Sequence, residues 1–217
     1  MGKENNPEIY DHITSYQVLA GDCPPFELRE KASRFIAFAV PCDSVEQVEL
    51  ILQSHRKKYH DATHVCFAFR LGNGISENKR FSDDGEPSGT AGIPILQEIS
   101  GHKLWNVLLM VIRYYGGTKL GTGGLVRAYG GAAHGVLEMA EFKQIEVTRL
   151  GTITFPFNET GLVMQWLTRF YGVSVSQNYS DMGITMSCTL PVKEVPRASQ
   201  ALIDMSAGRL KWHDDGL

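Results

Sequence analysis

Two short segments concentrate the residue types that do chemistry. The first, RFSDDGEPSGTAG at 80–92, sets Asp83, Asp84 and Glu86 within four positions. Clustered carboxylate oxygens suit a hard cation such as Mg²⁺, and neighbouring carboxylates can divide acid and base roles by splitting their pKa values. The same residues also build turns for backbone reasons alone, and a carboxylate can cap the helix that follows Thr90. Both readings stay open. A calcium loop is excluded, because its acids fall at alternate positions before a distal Glu.

The second segment is RYYGGTKLGTGGLVRAYGG at 113–131. Gly116, Gly117, Gly121, Gly123 and Gly124 let backbone N–H groups turn toward an anion, and a helix starting after them adds its dipole. Lys119 sits inside the loop, and Arg113 and Arg127 flank it. This is the layout of a phosphate cradle. Tight turns and close helix–sheet packing would call for glycines as well. Neither nucleotide fingerprint is met: Gly121 is followed by Thr122-Gly123 rather than Lys-Ser/Thr, and Val126 stands where a dinucleotide motif needs its third glycine.

Other catalytic signals fail. Glu86 takes the first glycine's place in a GxSxG reading around Ser88, there is no HExxH, and no cysteine has a histidine partner. His12, His55, His60, His64, His102, His134 and His213 form no ligand set by spacing, and His64 reads as a strand histidine with a local hydrogen bond. The expectation is therefore no catalytic residue, no resident metal and no cofactor. Tyr114, Tyr115, Tyr129 and Trp105 lie near the cations, where aromatic rings can stack on bases or fill a core.

The elements that must hold these segments follow from periodicity. The runs at 33–40 and 64–71 read as strands, and 104–114 is the most apolar strand candidate. Asp43 with Glu46 three residues on resembles a capping box for an amphipathic helix at 44–59. A short helix fits 91–99, with Pro94 in its first turn. After the glycine loop, Val126, Ala133, Leu137 and Ala140 share a helical stripe, and Gly130 and Gly131 would permit close packing. Beyond this the rhythm changes: a strand at 146–157, a helix capped by Asn158, strands at 173–179 and 184–192, a helix at 193–207 and a final strand at 209–212. That βαββαβ order is the split pattern of ferredoxin-like domains, so an α+β chain of two domains is expected, 1–142 and 143–217.

Composition sets the class. The 217 residues carry a formal charge of −3, which excludes a uniformly basic nucleic-acid coat. Yet the stretch 101–137 contains no Asp or Glu and holds Lys103, Arg113, Lys119 and Arg127, a local positive field on an acidic body. Four scattered cysteines without a CxxC pair suit a reducing compartment, no apolar run is long enough for a membrane span, and the polar N-terminus shows no secretory or myristoylation signal. A cytoplasmic location follows as an expectation.

The segments KASRFIAFAV, ATHVCFAFRLG, RFSDDGEPSGTAGIPIL and NVLLMVIRYYGGTKLGTGGLVRAYGGAA resemble the Impact/YigZ family across about 17–140. The resemblance implies an N-terminal domain with the fold of ribosomal-protein domain-2-like proteins and a C-terminal ferredoxin-like domain similar to a late domain of the translocation elongation factor. It also implies a link to translation: eukaryotic members restrain a nutrient-stress kinase, and nucleic-acid binding is suggested for the bacterial type. Only about a dozen residues precede the family region, so the kinase-control role does not carry over. Asp83, Asp84, Glu86, Arg113, Lys119 and Arg127 are expected to form one site. The leading expectation is a translation-linked regulator that binds RNA, the ribosome or a translation partner. A Mg²⁺-dependent nucleotide or phosphorylated-metabolite binder and a protein-interaction adaptor are the alternatives, and the oligomeric state is open.

Overall fold

The computed structural model describes residues 13–74 and 76–215; the polar N-terminal segment, Gly2 and His12 included, lies outside the described residues. The architecture is α+β. The chain divides into two compact units, Met1–Ile145 and Glu146–Leu217.

In the first unit the described strands are β1 (Ser15–Leu19), β2 (Phe26–Glu30), β3 (Ser33–Pro41), β4 (His64–Gly72), β5 (Glu77–Ser82), β6 (Val107–Tyr114) and β7 (Phe142–Glu146), whose last residue begins the second unit. The helices are α1 (Val45–Lys58), α2 (Gly92–Gly101) and α3 (Thr122–Glu138). One sheet runs β2-β3-β6-β4-β5, antiparallel throughout, and β1 pairs with β7 separately. The central strand β6 is buried on both faces, which explains its unbroken apolar run. Val107, Leu109 and Val111 pack under α2 and α3, whereas Leu108, Met110 and Ile112 pack under α1. Each such side chain contributes about 1.5–3 kcal/mol of apolar burial.

The alternation carries a consequence for the site. Arg113 continues the odd series of β6 and therefore faces α2 and α3. Ser33 continues the series of Phe35 and Ala37 in β3, and His64 that of Cys66 and Ala68 in β4. Arg113 lies opposite Phe35 on one side and His64 on the other. Strand pairing thus gathers Ser33, His64 and Arg113 at one end of the helix-covered face.

Several local expectations are corrected. The cap of α1 is Ser44, whose hydroxyl accepts from the Gln47 N–H, while Gln47 Oε1 accepts from the Asp43 N–H. The box is shifted one residue from Asp43 and Glu46. Strand β6 starts at Val107, not 104, because Lys103 and Asn106 hold positive φ in the preceding turn. Val126 is exposed, and the buried stripe of α3 runs through Leu125, Ala128, Tyr129, Ala132, Ala133, Val136 and Leu137. The close approach on α3 falls at Gly135, where an added Cβ would lie 2.3 Å from the Phe26 ring, while Gly130 and Gly131 have ordinary room.

The second unit contains β8 (Thr148–Phe155), α4 (Thr160–Arg169), β9 (Val173–Ser180), β10 (Gly183–Pro191), α5 (Val195–Met205) and β11 (His213–Asp214). Its sheet order β11-β8-β10-β9, antiparallel at every pairing, is the ferredoxin-like arrangement. Ile184, Met186, Cys188 and Leu190 of β10 enter the core beside Trp166, whose indole N–H donates to the Ala198 carbonyl and ties α4 to α5. Asn158 falls within a 3-10 turn, Phe157–Glu159, and does not cap α4. The last strand lies at 213–214 rather than 209–212.

Candidate anion-binding site

The acidic turn connects β5 to α2, and its carboxylates diverge. Asp83 Oδ1 accepts from the N–H groups of Ala91 and Gly92 at 3.0 and 2.8 Å, and Oδ2 accepts from Gly89 at 2.8 Å. Asp83 is thereby the anionic cap of α2. Partial burial pushes its carboxyl up, but the three N–H bonds outweigh this and hold it below the usual carboxylate range. Asp84, in the left-handed region at φ 46°, turns toward β4 and α1. Its Oδ2 accepts from the Val65 N–H at 2.7 Å and its Oδ1 from Arg56 at 3.1 Å.

Glu86 turns the other way, into the protein. Its Oε1 accepts from Arg113 Nη1 at 2.5 Å and from the Tyr129 hydroxyl at 2.7 Å, with His64 Nε2 at 3.8 Å. Glu86 and Arg113 are 9% and 5% exposed, so this is a buried ion pair. Burial drives the Tyr129 phenol far above its ordinary range, so it serves as a fixed donor. The guanidinium also donates to Ser33 Oγ at 3.3 Å and lies over the rings of Phe35 and Tyr115, while its Nε is buried without a partner. His64 is held by a 2.7 Å bond between Nδ1 and the Asp84 carbonyl.

Above this pair opens a cleft of about 460 Å³ lined by Glu86, Pro87, Arg113, Tyr115, the loop residues Lys119, Leu120 and Gly121, and Thr122 and Leu125 of α3. That volume is in the range of small-ligand pockets. Gly121 precedes α3 at φ 73° and offers no capping side chain. The first intrahelical bond runs from the Leu125 N–H to the Gly121 carbonyl, so the N–H groups of Thr122, Gly123 and Gly124 begin the helix unsatisfied. They give this end of the cleft a partial positive charge.

The glycines have separate reasons. A Cβ at Gly116 would lie 1.8 Å from the Ala32 carbonyl oxygen, so this residue is fixed by backbone packing against the β2–β3 turn. Gly117 and Gly121 need their positive φ and have open space around them. The loop is also held from below: the Gly116 N–H donates to Ser33 Oγ at 3.3 Å and Lys31 Nζ to the Lys119 carbonyl at 3.3 Å.

The structure therefore brings Glu86, Arg113, Lys119 and Gly121 onto one cleft. Gly123 and Gly124 lie in the first turn of α3, Gly116 beneath the loop, and Arg127 on an exposed turn of α3 with its guanidinium near Gly123. Asp83 and Asp84 brace the surrounding backbone. Because the three carboxylates face different partners, they present no common set of cation ligands. Ser33 was not legible as a site residue, since only the parity of β3 and β6 connects it with Arg113, and Tyr129, expected as a ring for stacking or core filling, instead donates to Glu86 across 43 positions.

The Impact N-terminal domain model matches residues 31–137, and a domain of unknown function, DUF1949, matches 153–209. The IMPACT family member YigZ of Escherichia coli is 34% identical over 182 residues, covering 83% of this chain and 89% of that protein. The chain belongs to the IMPACT family. A further member from Thermus thermophilus is 39% identical over 82% of this chain and 96% of its own length. Human Protein IMPACT is 31% identical over 50% of this chain and 36% of its own length. A crystal structure of a hypothetical protein superposes with a TM-score of 0.70 at 31% identity, covering 94% of this chain and 98% of that one. No helix among the described residues is long and apolar enough to cross a membrane.

Proposed function

We propose that this IMPACT-family protein is a translation-linked regulator of the cytoplasm that binds single-stranded RNA, with one nucleotide seated in the cleft between the acidic turn and the glycine loop. The supporting observation is the pairing of Lys119 and the uncapped start of α3 with a cleft whose walls, Pro87, Leu120, Leu125 and Tyr115, are apolar or aromatic. A phosphate takes the helix end and the lysine, while a base lies against Tyr115, which is 44% exposed. Arg113 is neutralised by Glu86 and sets the floor. Arg127 extends the positive track along α3. The two compact units act as separate domains, and no reaction is assigned.

The test is fluorescence anisotropy of the full chain with short single-stranded RNA across a salt series. Affinity should fall linearly on a log–log plot, by about 0.7 per phosphate contact. Lys119→Ala should weaken binding and flatten that slope by close to one contact. Unchanged affinity in Lys119→Ala/Arg127→Ala sinks the assignment of this cleft. Saturable binding of a mononucleotide with none of RNA would move the reading to a small phosphorylated ligand.

A second reading draws on the Glu86–Arg113 pair. The acidic turn braces the loop, as an adaptor contacting a translation-related protein would require. Retention on ribosomes after nuclease treatment separates it from RNA binding.

A further inference from the structure

A histidine pair lies on α2 and α3, away from the cleft residues. His102 is the C-cap of α2, and His134 sits one turn before the end of α3. One ligating atom each from His102, His134 and Glu138 falls within 4.8 Å of the others, the one such cluster of His, Cys, Asp and Glu among the described residues. The two rings are 5.8 Å apart between centroids.

The hydrogen bonds around these rings go further than proximity. His102 Nδ1 lies 3.0 Å from the Glu98 carbonyl oxygen. A carbonyl only accepts, so in the bonded ring Nδ1 carries the proton and the neutral ring has its lone pair on Nε2. His134 Nδ1 lies 3.2 Å from Glu98 Oε2, again an acceptor, which leaves the lone pair of the neutral ring on Nε2, 3.8 Å from Glu138 Oε1. Metal-ligating histidines show this same pattern, one nitrogen fixed by a carbonyl or carboxylate and the other presented to the ion. Glu98 anchors both rings, one through its backbone and one through its side chain. Phe142 packs 6.1 Å from His102 and borders the group with an apolar edge.

We propose that His102 Nε2, His134 Nε2 and a Glu138 oxygen form a binding site for a divalent transition metal of the zinc class, with Glu98 as a positioning residue. Two imidazoles and one carboxylate suit Zn²⁺ and its neighbours rather than Mg²⁺ or Ca²⁺, which take oxygen ligands. Three protein ligands leave a fourth position to water. Because the ligands come from two helices, the ion links the last turn of α2 to the last turn of α3. Each helix contributes an i, i+4 pair, Glu98 with His102 and His134 with Glu138, so the spacing is set by helical geometry. The site carries no role in RNA binding and stands independently of that reading.

The experiment is calorimetric titration of the tag-free, chelator-treated full chain with ZnCl₂, followed by Co²⁺ absorption spectroscopy. The expected result is one ion per chain, visible d–d bands of a low-coordinate Co²⁺ site, and a rise in melting temperature on Zn²⁺ addition. His134→Ala should lose more than about tenfold in affinity, and Glu98→Gln about tenfold while retaining one ion per chain. His134 and Glu138 are exposed, so His134→Ala and Glu138→Gln leave the core intact and keep the test readable. Absence of Zn²⁺ binding by the wild-type chain overturns the proposal, as does binding that survives His134→Ala and Glu138→Gln unchanged.

Discussion

The acidic turn and the glycine loop face each other across one cleft, yet they use charge in opposite ways. In the turn every carboxylate has protein partners: Asp83 holds three backbone N–H groups, Asp84 holds Val65 and Arg56, and Glu86 holds Arg113 and Tyr129. In the loop, Lys119 and Arg127 make no side-chain hydrogen bond or ion pair among the described residues, and three helix-start N–H groups lack an intrahelical partner. Charges that are already satisfied build a scaffold. Charges left facing solvent are available to a ligand. Charged residues therefore carry different duties, decided by what the fold places opposite them.

Substitutions should separate the two regions, most strongly at Glu86. Glu86→Leu leaves the Arg113 charge buried and uncompensated and should cost about 3–5 kcal/mol in urea unfolding. Adding Arg113→Met should recover most of that loss, because an apolar pair of similar volume avoids desolvating two charges. If the double variant is as unstable as the single one, the pair is not what Glu86 supplies.

Asp83→Ala should follow, at about 3 kcal/mol, since it strips partners from the start of α2. The pH dependence has a definite sign. Asp83 titrates lower in the folded state than in the unfolded chain, so its contribution is fully present above the unfolded value near 3.9 and is lost as pH falls through the lower folded value. Acid unfolding followed by circular dichroism should show a shallower limb below about pH 4 in Asp83→Asn than in the wild type. An unchanged limb would remove Asp83 from the scaffold.

The glycines sharpen the comparison inside the loop itself. Gly116→Ala must displace the Ala32 carbonyl and should destabilise by about 1–3 kcal/mol. Gly123→Ala meets only the Arg127 guanidinium at 3.6 Å and should stabilise α3 by up to about 1 kcal/mol, detectable as a higher melting temperature. Smallest of all, Lys119→Ala and Arg127→Ala should each alter stability by less than about 0.5 kcal/mol while lowering RNA affinity. A loop cation whose loss unfolds the protein would belong to the scaffold instead.

The sequence made the two-domain α+β class legible because β3, β4 and β6 are long apolar runs and α1, α4 and α5 keep helical periodicity. The strands it concealed are β1, β2, β5 and β7. Segments such as ENKRFS and FKQIE are short, polar and mostly exposed at the sheet margins, so no apolar alternation marks them. At the site, residue types and the loop were visible, but partner choice was not. Glu86 meets Arg113 across 27 positions, and His102 meets His134 only because α2 and α3 lie side by side. Such pairings are properties of packing, which composition and spacing do not encode locally.

The β2–β3 turn touches the glycine loop at both ends, through Ala32 under Gly116 and Lys31 on the Lys119 carbonyl. A loop seated this way is ordered when the protein folds, and little freedom remains for a ligand to remove on arrival. Its association would then show a small entropic penalty and a modest dependence on temperature, whereas a free glycine loop would stiffen at the moment of contact. The hairpin tip acts as a tuning peg: loosening it at Lys31 changes how much the loop must settle before it can hold anything.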